Sequence, residues 1–263
     1  MTALLAEMSW PEVEQAVAGG ATTVLLPLGA TEQHGLHLPL GTDTERAAAL
    51  AQGLAAAVPG ILVAPALPVG CSDEHSGFAG LLSLDHTTLA RVIFDCGWRM
   101  AQWGVRRLLL LSAHGGNGEA LALACRRLRE QVPALSVVIL PSSTAFSEAV
   151  AAVATQDGIT AEALGLHAGD AETSEMLHLR PDLVHLHRAA AGPSGPVATM
   201  MPRLRRDGVR GLSPNGTLGD PGRASGVRGA AYLAAQVASF QLQLGALADS
   251  DDGAVASMAG GQR

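Results

Sequence analysis

Four short, almost wholly apolar runs recur along the first part of the chain, at residues 22–28, 61–67, 105–112 and 135–140, with helical spacing between them. Runs that are apolar at every position suit strands covered on both faces, and strand–helix alternation makes such strands parallel. The expected fold is therefore α/β: a single domain, a mainly parallel sheet with helices on both faces. A first helix is expected to begin at Ser9, Pro11 and Glu12. Ser9 can cap it, Pro11 tolerates the first turn, and Glu12 stands three residues on as in a capping box. Further helices are expected over 44–57, 87–103, 119–131, 170–179 and 229–247. Residues 189–221 are rich in Gly and Pro and carry little periodicity, which predicts a long ordered loop or arm. The domain is expected to span 1–248, followed by a small, polar, flexible tail at 249–263.

Composition removes several function classes. The 263 residues are 48% hydrophobic and 16% charged, enough to bury a sizeable core. With 17 basic against 24 acidic residues the net charge is −7, which argues against nucleic acid as a partner. All the basic residues are Arg, so P-loop and Schiff-base chemistry, which need a lysine amine, are excluded. No G-x-S-x-G elbow or G-x-G-x-x-G fingerprint is present. Cys71, Cys96 and Cys125 are far apart and odd in number, which suits a reducing cytoplasm better than a disulfide framework. The N-terminus lacks the pattern of a signal peptide, and no apolar run reaches about 18 residues, so no membrane association is expected.

Ligands of a parallel sheet gather at the carboxyl ends of its strands. Three polar clusters fall there: Thr31-Glu32-Gln33-His34-Gly35 with Gly41-Thr42-Asp43-Thr44, then His114-Gly115-Gly116-Asn117, then His167-Ala168-Gly169-Asp170-Ala171-Glu172. Together they supply Glu32, His34, Asp43, His114, His167 and Glu172. Imidazoles mixed with carboxylates suit Zn²⁺, Mn²⁺ or Fe²⁺. Glu32 and His34, two apart, point to one side of an extended segment. A carboxylate such as Asp43 can give one oxygen to each of two ions about 3.5–4 Å apart, a pair that activates water and polarises a carbonyl. Taken singly, each His is more often a hydrogen-bonded loop residue than a ligand, and Glu172 can be a first-turn acid complementing the helix dipole; it is their joint occurrence at strand ends that favours a metal. His37 and His86 are expected to be structural, and His178, His185 and His187 to lie on the surface.

The strings LLPLGATEQHGLHLPLGTDT, LLLLSAHGGNGEA and LHAGDAETSEML, in that order, resemble the creatininase family of metal-dependent amidohydrolases. The resemblance implies a single α/β domain, a homo-oligomer that is commonly a hexamer, and two divalent metal ions (Zn, Fe or Mn). Carried over by motif, Glu32 and His114 would bind one ion, His34 the other, and Asp43 would bridge. Creatininase proper has a Glu where this chain has Gly116; the missing carboxylate is assigned to Glu172, and His167 is assigned proton transfer beside it. Trp10, Trp98 and Trp103 all precede His114, so the tryptophans that cover creatinine have no counterpart and creatinine is a poor substrate expectation. The stretches 70–78 (Gly70-Cys71-Ser72-Asp73-Glu74-His75-Ser76-Gly77-Phe78) and 208–221, the latter with Ser213-Pro214-Asn215-Gly216-Thr217-Leu218-Gly219-Asp220-Pro221, resemble the mycofactocin-maturation branch, whose members release a C-terminal dipeptide from a modified precursor peptide; Phe78-Ala79-Gly80-Leu81 departs from that branch's usual Phe-Pro-Gly-Thr. His75, Asn117 and Asn215 are assigned to substrate binding. A hydrolase of small cyclic amides or formamides, and a non-catalytic metal-binding or sensing domain, remain as alternatives.

Overall fold

The structure is a computed structural model that describes residues 2–140 and 145–259, with side chains described for 2–140 and 147–247. Helix α1 (Trp10–Ala18) opens with the expected box, in which Glu12 Oε2 accepts from the Ser9 main-chain N–H at 2.7 Å. It leads to β1 (Thr23–Leu28), α2 (Thr42–Ala57), β2 (Ile61–Val63), α3 (His86–Gln102), β3 (Arg107–Ser112), α4 (Gly118–Gln131) and β4 (Ser136–Leu140). The four strands form one parallel sheet in the order β2-β1-β3-β4. Strand β2 is shorter than the apolar run predicts. Pro65 has no N–H to give the ladder, and beyond it only Leu67 bridges back to Leu28. The break also accommodates Pro27 in β1, which lies beyond the last β2 residue paired to that strand.

Both faces of the sheet are buried, which is why its strands are apolar throughout. Leu26, Leu108 and Leu110 pack on Ile93 of α3 and on Leu121 and Leu128 of α4. Leu25, Leu109 and Leu111 face Leu50 and Leu54 of α2 and Phe240 of α9 (Gly226–Ala259). Each such side chain contributes about 1.5–3 kcal/mol through burial.

Between β4 and α9 lie α5 (Ala145–Gln156), α6 (Ala161–Leu164), α7 (Asp170–Leu179) and α8 (Val197–Leu212). Helix α7 has the predicted bounds, whereas α5 and α6 have no counterpart among the sequence expectations. The arm expected over 189–221 contains α8, a correction: its periodic face is interrupted by Pro202 and by Gly208, where φ of 67° kinks the helix. Helix α9 runs into the stretch expected to be a tail, whose side chains lie outside the described residues. Among the described residues no helix is long and apolar enough to cross a membrane.

Candidate metal centre

Chain direction around the sheet reverses at β1: the first crossover leads to β2 on one side, and the next returns to β3 on the other. Ligands of such sheets bind outside the carboxyl ends of the strands at this switch point. Glu32 and His34 follow β1, His114 follows β3, and Asp43 sits in the first turn of α2. Helix α7 brings Glu172 in from above. His34, Asp43 and His114 are buried, and Glu32 is wholly inaccessible.

The acidic and imidazole groups converge. His34 Nε2 lies 3.3 Å from Asp43 Oδ1 and 3.9 Å from Glu172 Oε2. His114 Nδ1 lies 3.4 Å from Asp43 Oδ2, and its Nε2 lies 3.4 Å from Glu32 Oε2. Two sets of donor atoms, Glu32 with Asp43 and His114, and His34 with Asp43 and Glu172, each fall within 4.8 Å of one another and share Asp43. A third set joins Glu32, His34 and His167.

Main-chain carbonyls aim the rings. The His34 Nδ1–H reaches the Glu32 oxygen at 3.2 Å, and the His114 Nε2–H reaches the Cys71 oxygen at 2.8 Å. His167 donates from Nε2 to the Gln33 oxygen at 2.6 Å, which leaves Nδ1 facing Glu32 Oε1 at 3.8 Å and Glu172 Oε2 at 4.0 Å. Such anchoring of one ring nitrogen fixes the direction of the other, as in metal-ligating histidines.

Electrostatics test whether these residues fit a cation. Both carboxylate oxygens of Glu32 and Oδ2 of Asp43 are buried without a hydrogen bond. Buried carboxylates are normally paired or hydrogen-bonded, so orphaned oxygens converging on one point fit a positive ion. Burial, with Asp43 nearby, pushes the Glu32 carboxyl up to about 7. Burial opposes charge on His34 and His114, yet the surrounding acids raise them to about 9 and about 10. In Asp43 the two imidazoles overcome burial and hold the carboxyl well below its usual range. In Glu172, Arg46 and His34 overcome burial in the same direction. His167 and His75 are pushed down by burial and by neighbouring imidazoles, His167 to about 4.

The other expected residues separate. His75 is in the nest, its Nε2 3.1 Å from Glu32 Oε1. Asn117 is fully buried, and its amide is committed to the framework. It accepts from the Cys71 N–H at 2.9 Å and donates to the Gly29 oxygen at 3.0 Å and to Ser112 Oγ at 3.1 Å. Its side chain is spent on the framework and lines neither cavity at the site. Asn215 likewise turns inward on its loop, accepting from Ser213 Oγ at 2.6 Å and the Thr217 N–H at 3.1 Å, and donating to the Ala191 oxygen. It shapes the loop and lines neither cavity at the site. His37 is buried against Thr173 Oγ1 at 2.8 Å, while His178, His185 and His187 are exposed.

Arg46, Glu74 and Gln33 emerge only from the structure. Arg46, buried in α2, donates to Glu172 Oε1 at 2.8 Å and to Glu175 Oε2 at 2.5 Å. Its i,i+3 spacing from Asp43 on a helix was a signal for it. Glu74 Oε1 lies 3.6 Å from His114 Nε2. A Cβ at Gly116 would meet the Cys71 oxygen at 2.1 Å and Glu74 Oε1 at 2.8 Å, so Glu74 occupies the space beside the glycine.

Two cavities meet at the nest. One of about 630 Å³ is bordered by Glu74, His75, His86, Glu119, Met201 and Leu204. The other, of about 490 Å³, has an apolar wall of Leu121, Ile139, Leu140, Val150 and Leu164. His114, His167 and Glu172 line both.

A parallel sheet that presents buried carboxylates and imidazoles at its switch point has the architecture of a metal-dependent hydrolase. The family described as "Creatininase: Creatinine amidohydrolase" matches residues 6–242. The "Mycofactocin precursor peptide peptidase" of Mycobacterium ulcerans is 38% identical over 223 residues, covering 82% of this chain and 81% of that protein. A crystal structure of creatinine amidohydrolase superposes with a TM-score of 0.77 at 31% identity, over 93% of this chain and 97% of that one. A zinc–zinc form of a mutant creatininase and a manganese creatininase each give a TM-score of 0.76 at 31% identity, over 91% of this chain and 96% of theirs. The chain belongs to the creatininase family of amidohydrolases, and is a hydrolase acting on amide bonds.

Proposed function

We propose that this chain is a divalent-metal-dependent peptidase that releases a C-terminal dipeptide from a modified precursor peptide, in mycofactocin biosynthesis. The observation that carries the reading is the convergence of Glu32, His34, Asp43, His114 and Glu172 around orphaned carboxylate oxygens. Glu32, Asp43 and His114 would hold one ion and His34, Asp43 and Glu172 a second, with Asp43 common to both. Ions of this kind, Zn²⁺, Mn²⁺ or Fe²⁺, acidify a water and polarise the scissile carbonyl.

The chain's own residues supply the rest. His167 presents Nδ1 to the nest, where it can take up a proton and return it to the departing amine. Arg46 holds Glu172 by charge from behind. The two cavities give room for chain on either side of a cut bond between His114 and His167. Trp10, Trp98 and Trp103 are exposed on or beside α1 and α3, and none lines either cavity, which speaks against creatinine as substrate. The assembly is read as a cytoplasmic homo-oligomer, on family resemblance and on the exposure of Trp10, Val227 and Leu242.

Incubation with the precursor peptide, followed by mass spectrometry, tests the reading. Dipeptide release should vanish after thorough chelation and return with Zn²⁺, Mn²⁺ or Fe²⁺. His167→Ala should cost about 10²–10⁴ in kcat with metal content retained. Release that survives demetallation overturns metal dependence, and hydrolysis of lactams or formamides in place of the peptide overturns the substrate.

A further inference from the structure

Gln33 lies between two of the nest's ligand candidates in the chain, yet its own side chain faces the loop that carries Ser213, Asn215 and Gly216. It is buried. Its Oε1 accepts from the Gly35 N–H at 2.8 Å, and its Nε2 faces the Gly216 carbonyl at 3.3 Å. A donor on one side and an acceptor on the other fix which end of the amide is which. The loop can close this tightly because Gly216 has no Cβ, which would stand 1.9 Å from Gln33 Oε1, and because its φ of 79° suits glycine.

The remaining hydrogen on Nε2 reaches His75 Nδ1 at 3.0 Å. That nitrogen must therefore be an acceptor, and the ring proton must sit on Nε2, 3.1 Å from Glu32 Oε1. The main-chain oxygen of the same residue takes the His167 Nε2–H. Gln33 Nε2 also lies 3.1 Å from His167 Nε2, but with that proton given to the carbonyl this is a contact between two donors.

We infer that Gln33 is a positioning residue that sets the tautomers of His75 and His167 from its side chain and main chain respectively. With Nδ1 accepting from Gln33 and the proton on Nε2, His75 keeps no lone pair for a metal, while His167 keeps Nδ1 open toward the nest. The Ser213–Asp220 stretch gains a role as the clamp on this amide. The consequence for turnover rests on the proposed peptidase reading; the proton positions do not.

Neutron diffraction from deuterated crystals of the metal-free protein, at neutral pH, reads those positions directly. The expected map has deuterium on Nε2 of both rings. In Gln33→Glu an acceptor replaces the donor, and the His75 deuterium should move to Nδ1 while that of His167 stays. Loss of the donor in Gln33→Met should weaken Zn²⁺ binding about 10–100-fold, measured by competition with a chelating dye. Deuterium on His75 Nδ1 in the unaltered protein overturns the inference, as does a map unchanged in Gln33→Glu. Should that variant fail to fold, the unaltered protein alone decides. Absence of peptidase activity would sink the functional reading and leave this assignment intact.

Discussion

His34, His114 and His167 each spend one ring nitrogen on a main-chain carbonyl, so the backbone path aims the nitrogen that faces the acids. Without a cation these acids instead hold protons on their neighbours, and that has a measurable consequence. Glu32 keeps its proton up to about 7 against 4.5, and His34 and His114 keep theirs up to about 9 and about 10 against 6.5. For all three the folded state binds protons more tightly than the unfolded chain. Their contribution to stability is thus complete at low pH and lost as pH rises through those values. His167 acts in the opposite sense, but only below its ordinary value of 6.5. The metal-free protein should therefore lose thermal stability from about pH 7 to about pH 10. A zinc-loaded sample, its ligands already deprotonated, should lose much less. Melting curves at successive pH values check this, and a metal-free midpoint that climbs across the range would contradict it. Glu32, His34, Asp43, His114 and Glu172 were legible in the sequence because each sits in a short polar run that ends an apolar strand or opens a helix. Gln33 and Glu74 were not, since their partners lie far along the chain and nothing in their spacing marks them.

Elements α2, α7 and α9 hold the acidic side of the nest in place through buried charge. Asp170, at the start of α7, accepts from Arg228 Nη2 at 2.8 Å and from Tyr232 Oη at 2.9 Å on α9. Glu175, one turn beyond Glu172, accepts from Arg46 on α2 and from Gln236 Nε2 at 2.6 Å on α9. Removing one partner of such a pair leaves the other charge buried and unpaired. Asp170→Ala should cost about 3–5 kcal/mol in denaturant unfolding of the metal-free protein. A loss below about 1 kcal/mol would mean that α7 is held chiefly by apolar packing. The strand–helix alternation and the bounds of α7 were legible from periodicity. Helix α8 was not: Pro202, Gly208 and Gly211 break the local pattern, and the helix is held by packing of Met200 and Leu212 against Leu218. The β2 boundary was misjudged because apolar content continues past Pro65, whereas the ladder breaks there and resumes only as the Leu67 bridge to Leu28.

At the scale of the whole molecule, the sheet order puts β1 and β3 side by side, so residues 32–43 and 114 meet although 71 positions separate Asp43 from His114. The two cavities meet there, His114, His167 and Glu172 lining both, and the smaller adds an apolar wall from Leu121, Ile139, Leu140, Val150 and Leu164. The proposed hydrolysis depends on two cations, both of which Asp43 would help to hold. Elemental analysis of the purified, metal-reconstituted protein tests that directly, alongside Asp43→Asn. Two divalent ions per chain, falling below one in the variant, is the predicted result; one ion or none in the unaltered protein, or two retained in Asp43→Asn, would contradict it.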